Sequence, residues 1–409
     1  MLGECRFIRT IQLTNFLSYG DSGEETRLES LNVLIGPNSS GKSNLIEAIG
    51  LLRATPRDLT APIREGGGIS DWLWKGSQGT PAAEINVTVH HPEPKGKMPL
   101  RYKLSFTMVG QRMELVDEAI ENKDPTSERE TRPYFFYRYE RGHPVLNVRT
   151  VSSEPAGTAE GRSKRSLRRE DLDLEQSVLS QRKDPDQYPE ITYLGNHFSK
   201  MRLYREWNLG RYTPPRLPQK ADLPEDFLLE DASNLGLVLN DLQHRPGAKQ
   251  IMLEKLRVFY SAIEDVTTRI HGGTVQIFIH EKGLKQPVPA TRLSDGTLRY
   301  LCLLALLCHP TPPPLLCVEE PELGLHPDVL PTIAELLIDA SQRTQLIVTT
   351  HSDVLVSALS DVPESILVCE RDDTGSRLRR LDKEALKQWL EKYSLGDLWL
   401  MGEIGGTRC

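Results

Sequence analysis

Eight consecutive residues fit a pattern that binds phosphate groups, GxxxxGK[ST]. They are Gly36, Pro37, Asn38, Ser39, Ser40, Gly41, Lys42 and Ser43. Glycines let backbone N–H groups turn around phosphate oxygens, and a helix that begins at the end of the loop adds the positive end of its dipole. The lysine reaches the β- and γ-phosphates, and the serine hydroxyl ligates Mg²⁺. We therefore predict a nucleoside triphosphate site here rather than an ordinary glycine-rich turn.

A pair of adjacent carboxylates, Glu319 and Glu320, follows the apolar run 315–318. A strand that ends in two carboxylates brings one beside the metal and the next beside the attacking water. Glu319 would bind Mg²⁺, directly or through water, and Glu320 would orient and polarise the water for in-line attack on the γ-phosphate. The alternative is a strand that emerges into solvent with acidic residues.

Two further motifs have a place in the same chemistry. His351 directly follows the apolar segment TQLIVTT, where it would donate a hydrogen bond to the γ-phosphate and sense whether that group is present. Ser294, Asp295 and Gly296 open a helical pattern. Taken alone, Ser294 is a helix N-cap and Gly296 is a turn residue. The order of the four motifs along the chain is nevertheless that of ABC-type ATPases.

Alternating apolar strands and helices position these motifs. The segment LNVLI, 31–35, predicts a buried strand directly before the glycine-rich loop, and the apolar residues after the loop have the spacing of a helix face. LLCVEE and TQLIVTT are continuous apolar runs of the parallel-strand type, separated by the helical pattern PTIAELLIDASQ. Strand, helix and strand in this order predict a layered α/β domain.

Composition limits the class of protein. Of the 409 residues, 38% are hydrophobic and 26% are charged, which is typical of a globular chain. The longest apolar run, 301–308, is far shorter than the ~20 residues that a bilayer span needs, so we expect no membrane insertion. The six cysteines have no CxxC spacing, which favours a cytoplasmic location. The net charge of −7 argues against a surface coated in basic residues.

A basic cluster lies in the segment 152–170, whose low apolar content predicts a mobile loop. Its candidates for contact with DNA are Arg162, Lys164, Arg165, Arg168 and Arg169. Near the C-terminus, Arg377, Arg379 and Arg380 are further candidates. Such clusters neutralise phosphates without reading sequence. A solvated basic loop remains the alternative.

The chain resembles the RecF/SMC-like branch of the ABC ATPases, and within it the stand-alone bacterial predicted AAA/ABC ATPases related to the ATPase domain of overcoming-lysogenization-defect (OLD) proteins. The resemblance rests on NFLSYG, LNVLIGPNSSGKSNLIEAI, FLLEDASNLGLVLN, RLSDGTLRYL, EEPELGLHP, TTHSDVLV and GDLWLMGEIGGTRC. It implies an α/β P-loop NTPase of ABC type with a mixed sheet, an antiparallel β subdomain, a helical lobe and no long coiled coil.

The resemblance also implies how the site is completed. Two copies would form a head-to-tail homodimer with two ATP molecules at the interface. Ser294, Asp295 and Gly296 of one copy would act as the signature that completes the partner's loop, residues 323–327 would act as the D-loop, and Asn44 would join the nucleotide-binding residues. The signature reads LSDGT where transporters have LSGGQ, so Asp295 brings negative charge close to the phosphates. Glu319 stands where Asp is usual, which changes its reach by one methylene.

We expect three segments: an N-terminal ATPase lobe at 1–120, an insertion and helical lobe at 121–290, and a C-terminal ATPase lobe at 291–409. The expected activity is hydrolysis of ATP with Mg²⁺ by a dimer that gates a DNA-related complex, in repair or anti-phage defence. Because the segment after His351 is short for a further domain, any nuclease or other effector is expected on a separate chain. The alternatives are a P-loop kinase for a small acceptor, the motor of a membrane importer, and a non-hydrolysing nucleotide-switched scaffold.

Overall fold

The computed structural model describes residues 6–91, 98–125, 132–140, 143–149, 162–166 and 172–406. The strands are β1 (Ile8–Thr14), β2 (Thr26–Arg27), β3 (Leu31–Ile35), β4 (Ala83–Val89), β5 (Leu100–Val109), β6 (Arg112–Asn122), β7 (Phe135–Glu140), β8 (His143–Arg149), β9 (Arg162–Ser166), β10 (Arg202–Tyr204), β11 (Gln219–Lys220), β12 (Ile263–His271), β13 (Thr274–Glu281), β14 (Val288–Pro289), β15 (Leu315–Glu319), β16 (Gln345–Thr349), β17 (Ile366–Asp372) and β18 (Gly375–Arg380). The helices are α1 (Lys42–Ala54), α2 (Thr60–Glu65), α3 (Ile69–Trp72), α4 (Val178–Gln181), α5 (Pro189–Lys200), α6 (Leu235–Gln243), α7 (Pro246–Phe259), α8 (Asp295–Leu307), α9 (Leu330–Ala340), α10 (Asp353–Ser357), α11 (Lys383–Leu390) and α12 (Leu395–Leu400).

Six strands form a central sheet in the order β10–β15–β16–β3–β17–β18. Neighbouring strands are parallel from β10 to β17, and β18 pairs antiparallel with β17. The predicted strand before the glycine-rich loop is β3, and the two apolar runs of parallel-strand type are β15 and β16, so these predictions are confirmed. Parallel strands end at the same edge of a sheet, and that edge carries the glycine-rich loop, Glu319, Glu320 and His351.

Two hydrophobic cores explain why the central strands are apolar along their whole length. On β3, Val33 and Ile35 lie in one core and Leu34 lies in the other. On β16, Val348 lies in the first core and Ile347 in the second. Helix α8 packs in the first core and α1 in the second. Side chains alternate between the two faces of a strand, so a sheet that is covered on both faces needs apolar residues at successive positions.

The second sheet has eight strands in the order β2–β1–β4–β5–β6–β7–β8–β9, and all its neighbours pair antiparallel. It is the expected antiparallel β subdomain. The boundary expected after residue 120 falls inside β6, so the first two expected segments share one sheet. Residues 162–166 correct the prediction of a mobile loop over 152–170, because they form β9 and pair with β8. Residues 152–161 and 167–170 lie outside the described residues.

A small third sheet and its helices form the helical lobe. Strands β11, β13 and β12 are hydrogen-bonded in that order, and β14 pairs with β13. Helices α6 and α7 pack on β12, and α7 also contacts α8. The longest helix in the described ranges, α7, has 14 residues, so this part of the chain contains no long coiled coil. None of the described helices has the length and apolar character that crossing a membrane requires.

Glu118 on β6 is a buried carboxyl that joins the antiparallel sheet to α4. It accepts hydrogen bonds from the Tyr102 hydroxyl (2.8 Å), the Ser177 hydroxyl and the Val178 backbone N–H (2.9 Å). Burial raises the pKa of Glu118 from 4.5 to about 7, and these hydrogen bonds oppose the shift only in part.

The pKa of Glu118 predicts a pH-dependent stability. Below pH 4.5 the carboxyl is protonated in both states; between pH 4.5 and about 7 the unfolded chain releases the proton that the folded chain keeps. The free energy of unfolding should therefore fall as pH rises through this window, by roughly 3 kcal/mol from this group. Urea unfolding at pH 5 and pH 8 measures it, and Glu118→Gln should have a smaller pH dependence. An unchanged pH dependence in the variant would contradict this assignment.

Candidate nucleotide-binding site

The glycine-rich loop connects β3 to α1 through backbone conformations that favour glycine. Gly36 has φ 147° and Gly41 has φ 108°. A Cβ on Gly36 would lie 2.2 Å from the Cys369 carbonyl oxygen on β17, and one on Gly41 would lie 2.4 Å from the Ser376 hydroxyl on β18. Ser39 also has a positive φ, 66°. Both motif glycines are therefore required by φ and by the close approach of the neighbouring strands.

Side chains hold the carbonyl groups of the loop. The Lys42 ammonium donates hydrogen bonds to the carbonyls of Gly36 (2.7 Å) and Pro37 (2.9 Å). The Tyr19 hydroxyl donates to the Gly41 carbonyl (3.1 Å). The Cys369 thiol donates to the Ser40 carbonyl (3.1 Å). The loop is thus tied to β17, to the N-terminal segment and to its own lysine.

Charge and burial at the loop suit a triphosphate. Burial lowers the pKa of Lys42, and Cys369 and Glu320 oppose this shift. An anion beside the ammonium would favour its charged form. The Ser40 hydroxyl is buried and has no hydrogen-bond partner among the described residues. Asn38, Ser39 and Ser43 are exposed at the mouth of the loop.

Ser43 and Glu319, the predicted metal ligands, are neighbours. The Ser43 hydroxyl donates to Glu319 Oε2 (3.1 Å), and the guanidinium of Arg205 lies 3.4 Å from Glu319 Oε1. Burial raises the pKa of Glu319, while Arg205 and Ser43 act against that rise. A hydroxyl and a carboxylate at the end of a strand are oxygen ligands of the kind that Mg²⁺ uses beside phosphates, so these residues fit the ion.

Arg205 is a site residue that the sequence analysis missed. It follows β10, which pairs with β15, and it also forms an ion pair with Glu47 on α1. Its guanidinium fixes the carboxylate of Glu319, whose side chain is one methylene longer than that of the usual Asp. β10 has three residues, too few for a strand pattern to be recognised, so the sequence offered no signal for Arg205.

Glu320 and His351 come together beside the loop. Glu320 has φ 46°, and its backbone N–H donates to the carbonyl of Thr349 (3.0 Å). This turn directs the chain out of β15. Glu320 Oε1 lies 3.8 Å from His351 Nε2, and both side chains are partly exposed. A carboxylate and an imidazole at this spacing are suited to orient water and to contact a phosphoryl group.

Glu322, a second residue that the sequence analysis missed, lies next to these two. Its Oε1 accepts hydrogen bonds from the Thr350 hydroxyl (2.7 Å) and from the backbone N–H of His351 (2.8 Å). The sequence signal was the third glutamate of EEPE, which the sequence analysis left without a role.

The signature residues lie at the start of α8. The Ser294 hydroxyl caps the helix by accepting from the backbone N–H of Thr297 (3.1 Å). Asp295, expected to bring negative charge close to the phosphates, forms an ion pair with Arg216, whose side chain is only 8% exposed. A Cβ on Gly296 would lie 2.9 Å from the carbonyl oxygen of Gly324 in the expected D-loop. The signature and the D-loop therefore pack directly against each other.

Within the described residues, no hydrogen bond or ion pair joins the signature to the loop of the same chain. Asn44, predicted to bind nucleotide, donates to the Ser18 hydroxyl (2.7 Å). Its contact therefore links α1 to the N-terminal segment.

The basic candidates for contact with DNA divide into two groups. Arg162, Lys164 and Arg165 lie on β9, the edge strand of the eight-stranded sheet, and Arg168 and Arg169 lie outside the described residues. The C-terminal candidates have partners within the chain. Arg380 donates to the carbonyls of Glu364 and Arg27, Arg379 donates to the carbonyl of Ile404, and Arg377 pairs with Asp372.

Comparisons with known proteins identify the family and the fold. A family described as “AAA domain, putative AbiEii toxin, Type IV TA system” matches residues 31–357. The chromosome partition protein Smc of Rhodopirellula baltica (strain DSM 10527 / NCIMB 13988 / SH1) is 30% identical over 94 residues. That match covers 23% of this chain and only 8% of the Smc protein.

Solved structures show a similar fold. The Smc head bound to the C-winged helix domain of ScpA has a TM-score of 0.56 at 15% identity, covering 93% of this chain and 99% of that one. An Smc head domain with an extended coiled coil, bound to the C-terminal domain of ScpA derived from Pyrococcus furiosus, has a TM-score of 0.52 at 13% identity, with 94% and 99% covered. At these identities the likeness shows the fold.

The packing of Gly36 predicts a specific loss of nucleotide binding. In Gly36→Ala the new methyl group meets a backbone carbonyl of β17, so the loop must move. ATP affinity should fall about tenfold or more. Gly79→Ala is the matched control, because Gly79 also has a positive φ, 96°, but has open space around its Cβ position. Titration with a fluorescent ATP analogue measures both variants, and equal affinities would contradict the prediction.

Proposed function

We propose that this chain, which belongs to the family described as “AAA domain, putative AbiEii toxin, Type IV TA system”, hydrolyses ATP at the edge where β3, β15 and β16 end. The family match and the fold identify it as a RecF/SMC-like ABC-type ATPase. One observation carries the proposal: Ser43 with Glu319, and Glu320 with His351, flank the mouth of the glycine-rich loop at this single edge. The relation to OLD proteins stays a prediction.

In the proposed reaction each residue has one task. Lys42 exchanges its contacts with the loop carbonyls for oxygens of the β- and γ-phosphates. Ser43 and Glu319 would hold Mg²⁺, which would neutralise charge on those phosphates. Glu320, which directly follows β15, orients the attacking water and accepts its proton. His351 donates a hydrogen bond to the γ-phosphoryl group as negative charge develops there.

We propose that a second copy completes the site. Ser294 and Gly296 at the exposed start of α8 would reach the triphosphate bound by the partner, and the D-loop packed on Gly296 would lie in the same interface. The ion pair between Arg216 and Asp295 supports this arrangement, because it neutralises the charge that would otherwise oppose a phosphate. A head-to-tail homodimer with two ATP molecules is the assembly that this requires.

The proposed role is to gate a separate effector protein in a DNA-related process, in repair or anti-phage defence. Two similarities support it: the Smc relative is a chromosome partition protein, and the Smc head structure contains the C-winged helix domain of ScpA. A P-loop kinase would yield a phosphorylated acceptor instead of free phosphate, and a scaffold would yield neither. The carboxylate–imidazole pair at the mouth of the loop favours hydrolysis over both.

The role of Glu320 predicts that binding and hydrolysis separate. Glu320→Gln should bind ATP normally and release phosphate on the order of 100-fold more slowly, because the amide is a poor proton acceptor. It should also accumulate as an ATP-dependent dimer in sedimentation experiments. Lys42→Ala, which removes the phosphate contact, is the control that should fail to bind ATP. An ATP-loaded Glu320→Gln protein that stays monomeric would contradict the dimer.

The basic cluster predicts salt-dependent DNA binding. Reversing the charges of Arg162, Lys164, Arg165, Arg168 and Arg169 should weaken binding to every DNA sequence alike. It should also flatten the dependence of log K on log salt by about 0.9 for each phosphate that the variant no longer neutralises. Fluorescence anisotropy at several salt concentrations measures this. If the parent chain has no affinity for DNA, or if the variant binds DNA as tightly as the parent, the prediction that this cluster contacts DNA is wrong.

A further inference from the structure

Glu322 connects the segment after β15 to the segment after β16. Its Oε1 accepts from the Thr350 hydroxyl and from the backbone N–H of His351. The same Thr350 hydroxyl accepts from the backbone N–H of Ser352 (3.0 Å), and the backbone N–H of Thr350 donates to the Leu34 carbonyl on β3 (3.2 Å). One carboxylate oxygen therefore fixes the backbone from which the His351 side chain projects.

The chain around Glu322 also reaches the signature. The backbone N–H of Leu325 donates to the Glu322 carbonyl (3.0 Å), which closes a turn around Gly324. Gly324 has φ 70°, and its carbonyl oxygen makes the close approach to Gly296. A displacement of the start of α8 would thus press on the turn that contains Glu322.

We propose that Glu322 is a positioning residue that sets the place of His351 and couples it to the contact between the signature and the D-loop. The inference rests on the proposed function, because it concerns the imidazole assigned to the γ-phosphoryl group. Glu322 acts through the backbone of His351: its charge strengthens the two hydrogen bonds, and its turn transmits movement from Gly324. A signature that docks on a partner's nucleotide would in this way adjust the histidine of its own chain.

A purely structural role makes a different prediction. If Glu322 only stabilised the turn after β15, its removal would lower the melting temperature and leave the turnover of the folded fraction unchanged. A positioning role changes kcat with little effect on KM, because misplacing a group that contacts the transition state by about 1 Å costs up to 100-fold in rate.

The test compares Glu322→Ala, Glu322→Gln and the surface control Glu335→Ala, with phosphate release measured across pH. Glu322→Ala should lower kcat by about 10- to 100-fold with KM within about twofold, and should lose the limb of the pH–kcat profile that His351→Ala also loses. Glu322→Gln should recover most of the rate, because its amide oxygen accepts the same two hydrogen bonds. Glu335→Ala should match the wild type, since Glu335 is exposed on α9.

A second variant keeps the test valid if Glu322→Ala does not fold. Thr350→Val removes one of the two donors to Glu322 and should lower kcat by about threefold to tenfold. Wild-type kcat and an unchanged pH profile in a folded Glu322→Ala or Thr350→Val protein would overturn the inference and leave the proposed function intact. A wild-type chain that binds ATP without releasing phosphate would overturn the proposed function as well.

Discussion

The parallel pairing of β15, β16 and β3 is the constraint on which the site depends. Registry between these strands aligns Glu319 with Thr349, and Thr349 with Leu34. The glycine-rich loop begins at Gly36, two residues after Leu34. Glu320 directly follows Glu319, and His351 lies two residues after Thr349. Because both faces of the sheet are buried in hydrophobic cores, a slip of one residue would move apolar side chains onto the wrong core, so the register is strongly specified.

Each charged group of the strand edge and of the signature has a polar partner within the chain. Glu319 faces Arg205, Asp295 faces Arg216, and Lys42 is turned onto loop carbonyls. The pKa of Glu319 is raised and that of Lys42 is lowered, in each case mainly by burial, so both groups gain from a bound cation or anion. In the proposed reaction, the phosphates and the ion would replace some of these partners.

The central strands could be predicted from the sequence because they are continuous apolar runs. Glycine spacing and strand-end position singled out the glycine-rich loop and the carboxylate pair, and the roles of these residues stay predictions. The sequence was insufficient for Arg205, Arg216 and Glu322, whose roles depend on partners distant in the chain. The segment RSKRS has no apolar residue, yet it forms β9 because pairing with β8 satisfies its backbone. The expected boundary after residue 120 lies within β6, in a sheet that takes strands from both expected segments, and the division into segments stays a prediction.

The most direct measurement is the structure of the Glu320→Gln protein with Mg²⁺ and ATP. We expect a dimer in which each γ-phosphoryl group contacts Lys42 of one copy and Ser294 of the other, with the ion held by Ser43 and Glu319. A nucleotide bound away from the glycine-rich loop, or a γ-phosphoryl group remote from Ser294 in every assembly present, would contradict it.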